Sequence, residues 1–330
     1  MPNNATDRPL VTFALFAYNQ EEYIREAVEG AFAQTYKPLE IILSDDCSND
    51  GTFKIMVEMA NAYEGPHEVK VRQNVNNLGV GPHVSTVIEE SSGVYIAFAA
   101  GDDISVPDRL SSAMEIFSIL NTDAPTLFGY SLLTCLTLID ENSIAFGDTY
   151  GPKALRKMRA EEKLDAHRVF DLEDLLEGAY HTSGPTRIIR KDLHLLFGSI
   201  GANCFTEDIV YLFRCALAGN VVYSTKRSVF YRKHRENLSA PKTLYAKPFG
   251  GVERQMRADL KMALKHKLIS INDGLRALSW IDAHVAYRLF YKAKLNDERP
   301  SIQNLSTLLK ARHLSARRKF GIFREYIGVR

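Results

Sequence analysis

The 330-residue sequence lacks several features that would indicate particular classes of protein. Lys and Arg total 41 against 40 for Asp and Glu, so no excess of positive charge predicts a nucleic-acid partner. No uninterrupted run of about 18 apolar residues is present, which argues against a membrane-spanning helix. The polar amino terminus also lacks the apolar core of a signal peptide. We therefore expect a cytoplasmic protein.

The cysteines and glycines exclude other familiar sites. The four cysteines have no C-x-x-C spacing, which argues against a zinc site and a disulfide framework; they are Cys47, Cys135, Cys204 and Cys215. The sequence contains no G-x-x-x-x-G-K-[ST] phosphate loop. The segment Gly79-Val80-Gly81 does not form a dinucleotide fingerprint, because Val84 replaces the third glycine and no strand runs directly into it.

Strand and helix patterns alternate over the first hundred residues. The predicted strands are Leu10–Ala17, Leu39–Leu43, a short segment at Val69–Val71 and the apolar segment that begins at Val94 and ends at Asp102. Three amphipathic helical patterns separate them, and Asn19 with Glu22 predicts a capping box at the start of the first helix. This order predicts an open, mostly parallel α/β sheet.

The second part of the sequence predicts a mixed arrangement followed by helices alone. The predicted elements are a strand pair within Thr126–Ile139, a short helix Asp171–Glu177 opened by an Asp, a helix Glu207–Ala218 capped by Thr206, and short strands Val221–Tyr223 and Val229–Tyr231. From about Lys242 onward only helical periodicity is present. We therefore expect a polar tail over residues 1–8, an α/β domain over 9–240 and a helical region over 241–330.

Pairs of carboxylates follow two of the predicted strands. Asp102 and Asp103 end a strand that is apolar on both faces, and the carboxyl edge of such a sheet is where α/β proteins bind ligands. Two carboxylates there suit Mg²⁺ bridging to phosphates, although they could instead cap the helix that begins near Pro107. Asp45 and Asp46 end a second strand at the same edge. The carboxylate of Asp45 could accept a hydrogen bond from the imide of uracil or thymine.

Six segments in order resemble motifs of glycosyltransferase family 2, whose members are inverting enzymes with the GT-A fold. The motifs are Phe16–Ile24, Glu40–Thr52, Asn76–Gly79, Gly101–Asp103 with Pro107, and the later pair formed by Thr206–Asp208 and Tyr231–Ser239. The resemblance covers about residues 9–240. It implies a nucleotide-sugar-binding half over residues 9–105 and an acceptor-binding half over residues 106–240.

The resemblance also implies roles for individual residues. The implied donor-binding residues are Ala17, Tyr18, Asp45, Asn77, Asp102, Asp103 and Arg232. Asp102 would hold a divalent cation, Mg²⁺ or Mn²⁺, on the donor diphosphate. His234 could be a second metal ligand or contact the diphosphate, because neutral imidazole is a common ligand. Asp208 would be the catalytic base, with Glu207 beside it. From local sequence alone, Glu207 and Asp208 could equally be first-turn acids of a helix, and His234 could belong to a solvated basic loop.

Two positions depart from the family pattern. Ala100 stands where the first Asp of the usual Asp-x-Asp-Asp pattern is found, so this position supplies no carboxylate for a ribose or metal contact. Cys47 replaces a glycine that is common in the turn after Asp46, which is a milder change.

The sequence predicts a glycosyltransferase that moves a sugar from a UDP- or dTDP-sugar to a glycan or lipid-linked saccharide, for example in bacterial surface-polysaccharide synthesis. A non-catalytic sugar-nucleotide-binding or scaffold protein is an alternative because of Ala100. A nucleotidyltransferase is another, although Phe16–Asn19 offers no glycine-rich phosphate loop. The segment from Lys292 to Arg330 contains ten Lys or Arg residues and three acidic residues. This segment could contact an anionic membrane surface or form a helical cap packed on the catalytic domain.

Overall fold

The computed structural model describes residues 8–123, 130–149, 167–178, 183–235, 237, 241–311, 314 and 316–326. The strands are β1 (Val11–Ala17), β2 (Leu39–Asp45), β3 (Glu68–Gln73), β4 (Tyr95–Ala100), β5 (Ile104–Ser105), β6 (Tyr130–Ile139), β7 (Ala145–Thr149), β8 (His167–Phe170), β9 (Ile188–Arg190) and β10 (Asn220–Arg232). The helices are α1 (Ile24–Phe32), α2 (Thr52–Asn61), α3 (Val80–Glu90), α4 (Arg109–Asp123), α5 (Leu172–Leu176), α6 (Lys191–Phe197), α7 (Asp208–Ala218), α8 (Pro241–Ala246), α9 (Gly250–Lys265), α10 (Ile271–Leu295), α11 (Ile302–Lys310) and α12 (Ala316–Tyr326).

The first four strands form a parallel sheet in the order β3-β2-β1-β4. Alternate residues of β1 enter two different cores, because successive side chains of a strand point to opposite faces. Phe13 and Leu15 pack on one face with α1 and α4, and Ala14 packs on the other with α3 and α7. Every residue of β2 is buried, as expected for a strand covered by helices on both faces. The predicted α/β class and GT-A fold are confirmed.

The second half of the sheet is mixed rather than parallel. β9 runs antiparallel to β4 and β6, and β6 runs parallel to β10, which also pairs with β5 and β8. The prediction of two short strands over residues 221–231 is wrong, because β10 is one strand with register shifts between Tyr223 and Val229. Within 126–139 the described residues contain one strand, β6, and its antiparallel partner β7 lies beyond Asp140.

Two predicted helix starts differ from the structure. The capping box at Asn19 is wrong: α1 begins at Ile24, and Asn19 adopts a left-handed backbone with φ of 52°. The Asn19 side chain instead accepts a hydrogen bond from the Asn49 amide at 2.8 Å. At α7 the helix begins at Asp208, and the Thr206 hydroxyl accepts from the Asp208 amide at 3.3 Å. The predicted Asp cap of α5 is confirmed at Asp171.

The helices after residue 240 share the core of the α/β part. Trp280 of α10 stacks on Phe213 of α7 with ring centroids 5.5 Å apart. Arg214 of α7 and Asp259 of α9 form a buried ion pair, with Nε–Oδ2 and Nη2–Oδ1 distances of 2.8 and 3.0 Å. The last two helices form a smaller cluster with the end of α10. Among the described residues, no helix has the length and apolar character that crossing a membrane requires.

Candidate active site

The carboxyl ends of β1, β2 and β4 meet at one edge and form the floor of the site. Ala17 lies opposite Asp45 in the strand register, and Phe16 lies opposite Ala100. Ala17 is buried, whereas the next residue, Tyr18, is 43% exposed. The chain therefore leaves the sheet at Tyr18 with an aromatic ring available at the edge.

Asp45 is fully buried at the end of β2 and is held by neighbouring donors. Its carboxylate accepts hydrogen bonds from the Ser48 amide at 2.8 Å, from the Ser48 hydroxyl and from Gln73 Nε2 at 2.9 Å. Gln73 is exposed, so its amide can be displaced by another N–H donor without rearranging the core. This is the exchange that an incoming nucleobase imide would make.

Asp46 shapes the loop that carries Asn77. Its carboxylate accepts the Leu78 and Gly79 amides, both at 2.9 Å, and Asn74 Nδ2 at 2.6 Å. Gly79 has φ of 77°, a conformation that favours glycine. Asn77 is exposed on this loop. Sequence reasoning did not foresee that Asp46 fixes this second loop.

A buried polar network lies behind these two carboxylates. His83 Nε2 lies 2.6 Å from the Ser44 hydroxyl, which also accepts a hydrogen bond from Arg72 Nη1 at 2.7 Å. Burial lowers the pKa of His83 to about 4, so the imidazole is neutral at pH 7. Sequence reasoning missed His83 because it lies within the apolar stripe of α3 and has no motif around it.

Asp102 and His234 come together although 132 residues separate them. His234 Nε2 lies 3.0 Å from Asp102 Oδ2, and the side chains are 8% and 15% exposed respectively. The Tyr23 ring covers the imidazole at a centroid distance of 4.9 Å. A carboxylate oxygen and an imidazole nitrogen, both potential metal ligands, therefore face each other at this edge of the site.

The donor set at Asp102 fits a divalent cation that binds together with a diphosphate. Mg²⁺ is usually held by one or two carboxylates plus substrate oxygens and water, and Mn²⁺ also accepts imidazole. The described residues contain no group of three or more His, Cys, Asp or Glu side chains placed to hold a metal alone. Any cation here would therefore depend on ligand oxygens, and Ala100 supplies none from its side chain.

Asp103 points into the protein and not toward the site surface. Its Oδ1 accepts the Arg232 amide at 2.9 Å, and burial together with the neighbouring Asp102 raises the pKa of Asp103 well above its usual range. The Arg232 guanidinium is also fully buried. It donates to the Asp102 carbonyl at 3.0 Å and to the Ser143 hydroxyl at 2.9 Å, and Nη2 lies 3.1 Å from Glu26 Oε2. Both residues therefore hold the Asp102 loop against β10 and the turn after β6.

Glu207 and Asp208 form a carboxyl pair at the start of α7. The two side chains share a hydrogen bond, and each residue keeps some contact with solvent. Burial and the adjacent Asp208 charge raise the pKa of Glu207 to about 8, and burial raises the pKa of Asp208 as well. At pH 7 Glu207 therefore carries the shared proton and Asp208 accepts it, an arrangement that leaves one basic carboxylate.

Gly184 and Arg187 surround this carboxyl pair, and sequence reasoning missed both. A Cβ atom at Gly184 would lie 2.4 Å from Glu207 Oε1 and 2.7 Å from Asp208 Oδ1, so a larger residue there would displace the two carboxyls. The buried Arg187 donates from Nη2 to the Asp208 carbonyl at 3.0 Å, and its charge lowers the pKa of both carboxyls. The Gly184-Pro185 turn signal was the available clue. The nearby His181 lies outside the described residues.

The loop over residues 200–206 joins the donor side to the carboxyl pair. The Gly81 amide, in the first turn of α3 after the Asn77 loop, donates to the Cys204 carbonyl at 3.3 Å. A Cβ at Gly81 would lie 2.7 Å from that carbonyl, so the two segments are in close contact. The start of α3, which follows the Asn77 loop, therefore packs directly against the segment that leads to the carboxyl pair.

Comparisons with known proteins agree with this architecture. Residues 12–131 match the family model described as glycosyl transferase family 2. EpsE of Bacillus subtilis, which carries a glycosyltransferase name, is 36% identical over 102 residues, or 31% of this chain and 36% of EpsE. TuaG of the same organism, named for a glycosyltransferase of teichuronic acid biosynthesis, is 32% identical over 126 residues, or 38% of this chain and 48% of TuaG. The matches therefore span about a third to a half of these relatives.

The solved structure of S. aureus TarS in complex with UDP-GlcNAc has a similar fold. It superposes with a TM-score of 0.60 at 18% sequence identity and covers 91% of this chain and 79% of the TarS chain. Residues 12–131 therefore match glycosyltransferase family 2, and the fold shared with TarS extends over most of the chain.

Proposed function

We propose that this protein is an inverting glycosyltransferase that transfers a sugar from a UDP- or dTDP-sugar to a saccharide or lipid-linked saccharide acceptor. The observation that carries the proposal is the Glu207–Asp208 pair, in which one carboxyl holds a proton and the other is left basic. This pair belongs to the same packed unit as the Asp45 and Asp102 edge. The relatives EpsE and TuaG and the UDP-GlcNAc complex of TarS support this class of donor and setting.

Donor binding would use the edge formed by β1, β2 and β4. Asp45 would accept the N3–H of uracil or thymine in place of Gln73, and Ala17 and Tyr18 would line the base pocket. Asn77 would approach the donor from the loop that Asp46 holds. A carboxylate could also accept the N1–H and the amino group of guanine, so only the shape of the pocket would select uracil or thymine. The titration below therefore includes GDP.

Asp102 and His234 would hold Mg²⁺ or Mn²⁺ on the donor diphosphate. A divalent cation there stabilises the negative charge that develops on the leaving nucleoside diphosphate. Asp103 and Arg232 would act as positioning residues, because their polar atoms hold the Asp102 loop. Tyr23 would limit the movement of the His234 ring.

Asp208 would take the proton of the acceptor hydroxyl while that oxygen attacks the anomeric carbon from the face opposite the diphosphate. One carboxylate base suffices for a single displacement with inversion, whereas a retaining route through a covalent intermediate needs a nucleophile. Protonated Glu207 would keep Asp208 oriented through the shared hydrogen bond. Arg187 would limit the build-up of negative charge at the pair.

The experiment that tests the proposal separates donor binding from transfer. UDP, dTDP and GDP are titrated calorimetrically into the full chain with and without Mn²⁺, and Asp208→Asn is compared with wild type. We expect metal-dependent binding of UDP or dTDP, and we expect Asp208→Asn to keep that binding while sugar transfer falls by about 10²–10⁴-fold. Unchanged transfer would remove Asp208 as the base, and absence of nucleotide binding would favour the scaffold alternative.

The carboxyl-terminal helix α12 would contact an anionic membrane surface. Phe320 and Phe323 are exposed on this helix while Ile322 is buried, and Lys319 and Arg324 flank the rings. Exposed aromatic rings beside basic residues are typical of interfacial helices. Co-sedimentation with phosphatidylglycerol vesicles tests this: the Phe320→Ser, Phe323→Ser variant should bind less than wild type, and equal binding would refute the contact.

A further inference from the structure

Two cationic side chains lie against one aromatic ring just before the carboxyl pair. The Arg288 guanidinium carbon lies 5.1 Å from the centroid of the Phe205 ring, and Lys247 Nζ lies 5.7 Å from the same centroid. Arg288 belongs to α10, and Lys247 lies between α8 and α9. Both side chains are only partly exposed. The site proposed above uses neither of them.

No carboxylate compensates these two charges among the residues that the structure describes. The acids of the two long helices α9 and α10 are each within ion-pair distance of another arginine: Asp259 with Arg214, Glu253 and Asp282 with Arg257, and Asp273 with Arg276. Burial lowers the pKa of both Lys247 and Arg288; no carboxylate opposes that effect for either one, and Tyr245 opposes it for Arg288. Two partly desolvated cations that lack a neighbouring carboxylate favour the binding of an anion.

The aromatic surroundings of Arg288 hold its guanidinium in place. Its carbon lies 4.7 Å from the Phe249 centroid and 5.1 Å from the Tyr245 centroid, and Nη2 donates to the Leu244 carbonyl. A guanidinium has five N–H donors, so one protein acceptor leaves several for a ligand. Stacking alone would account for Arg288 as a structural residue. It does not account for Lys247, which has no hydrogen bond to any described residue.

The aromatic residue that both cations contact lies close in the chain to the carboxyl pair. Phe205 precedes Glu207 by two residues, so their Cα atoms are at most about 7 Å apart. The loop before Phe205 is tied to α9, because Gln255 Oε1 accepts the Gly201 amide at 3.0 Å. A Cβ at Gly251 would lie 1.9 Å from the Asn203 carbonyl oxygen, which shows how closely α9 packs on this loop.

We propose that Lys247 and Arg288 form a subsite for an oxyanion, a phosphate or a carboxylate, carried by the acceptor. The proposal rests on the proposed function, since it places the acceptor hydroxyl at Asp208. Arginine pairs with the planar oxygens of carboxylate or phosphate, and lysine adds a point charge. The Phe205 ring that both cations contact adds apolar surface beside the anion. An acceptor that carries such a group would then be selected over a neutral one.

The test uses the full chain saturated with UDP and Mg²⁺, so that a probe cannot occupy the donor site. Binding of sn-glycerol 3-phosphate, glucuronate and glucose is measured by ligand-observed NMR. The variants are Lys247→Gln and Arg288→Lys, and the control is Lys261→Gln, which removes an exposed cation of α9. We expect at least one of the two anions to bind and glucose not to bind.

We expect Lys247→Gln to weaken anion binding at least tenfold, Arg288→Lys to weaken it less, and Lys261→Gln to leave it unchanged. Preference for glycerol phosphate would identify a phosphate-bearing acceptor, and preference for glucuronate a uronate. Failure of both anions to bind, or equal weakening by Lys261→Gln, would overturn the subsite. Because UDP affinity is measured on the same samples, loss of donor binding would be recognised separately as failure of the proposed function.

Discussion

Asp259→Asn should destabilise the whole chain, because it removes one partner of a fully buried ion pair. Arg214 and Asp259 are 0% and 1% exposed, and the pair is bidentate. The variant leaves the Arg214 charge between the rings of Phe197 and Tyr211 with only the Gly198 carbonyl and a neutral amide as acceptors. Breaking a buried pair in this way costs about 3–5 kcal/mol. Domains are typically stable by about 5–15 kcal/mol, so the loss is a large share.

Urea unfolding followed by two probes measures this effect. Trp280 is the only tryptophan in the chain, and it stacks on Phe213 in the contact between α7 and α10. Its fluorescence therefore reports this contact, while circular dichroism reports the whole fold. We expect both probes to give one transition, and we expect Asp259→Asn to lower its midpoint without changing its slope.

Two further variants separate charge burial from general disruption. Asp282→Asn breaks an ion pair whose carboxylate is 47% exposed, so it should cost less than about 1 kcal/mol. Replacing Arg214 and Asp259 together by Leu should recover most of the loss, because apolar residues avoid the desolvation of both charges. A loss for Asp259→Asn as small as that for Asp282→Asn would refute the reasoning. So would a Trp280 transition that precedes the loss of secondary structure, since the carboxyl-terminal helices would then unfold independently.

Three other changes test the site. Because the pKa of Glu207 is raised to about 8, the folded state keeps a proton that the unfolded state releases. The free energy of unfolding should therefore fall as the pH rises from about 5 to 8, by at most about 1.4 kcal/mol per pH unit. Glu207→Gln should remove this contribution from the pH dependence of the melting temperature, and parallel pH profiles for wild type and variant would contradict it. Gly184→Ala should displace the carboxyl pair and lower transfer at least tenfold while UDP affinity stays unchanged; equal loss of both would indicate misfolding. Asp46→Asn should release the loop that ends at Gly79, because the Asp46 carboxylate accepts the Leu78 and Gly79 amides. We expect faster hydrogen exchange of these amides and weaker UDP binding.

The parallel half of the sheet was predictable because local pattern and topology agree there. Three of its strands, β1, β2 and β4, are mostly apolar, and β3 alternates Val with charged residues. Amphipathic helices separate the strands, and polar turn residues such as Asp50 lie between the elements. Asp50 accepts the Thr52 amide at 3.0 Å, as a residue at a helix start should. The second half was less predictable, because the bulged segment of β10 interrupts the alternation of apolar residues. A sequence pattern cannot distinguish such a bulge from a break between two strands.

The site shows the same limit at the level of single residues. The segment Tyr231-Arg232-Lys233-His234 is a basic loop by composition, and its motif suggested that both Arg232 and His234 face the diphosphate. In the structure the Arg232 guanidinium is buried and donates to the Asp102 carbonyl and to the Ser143 hydroxyl, while the His234 ring reaches the Asp102 carboxylate. The acid pair behaves similarly. Glu207-Asp208 can be read from the sequence, but its shared proton arises from burial and from the adjacent Asp208 charge, and Arg187, which lies 20 residues before Glu207, opposes both effects. The sequence indicates which residue types meet, and the surrounding packing decides which one is left basic and which one is left facing the ligand.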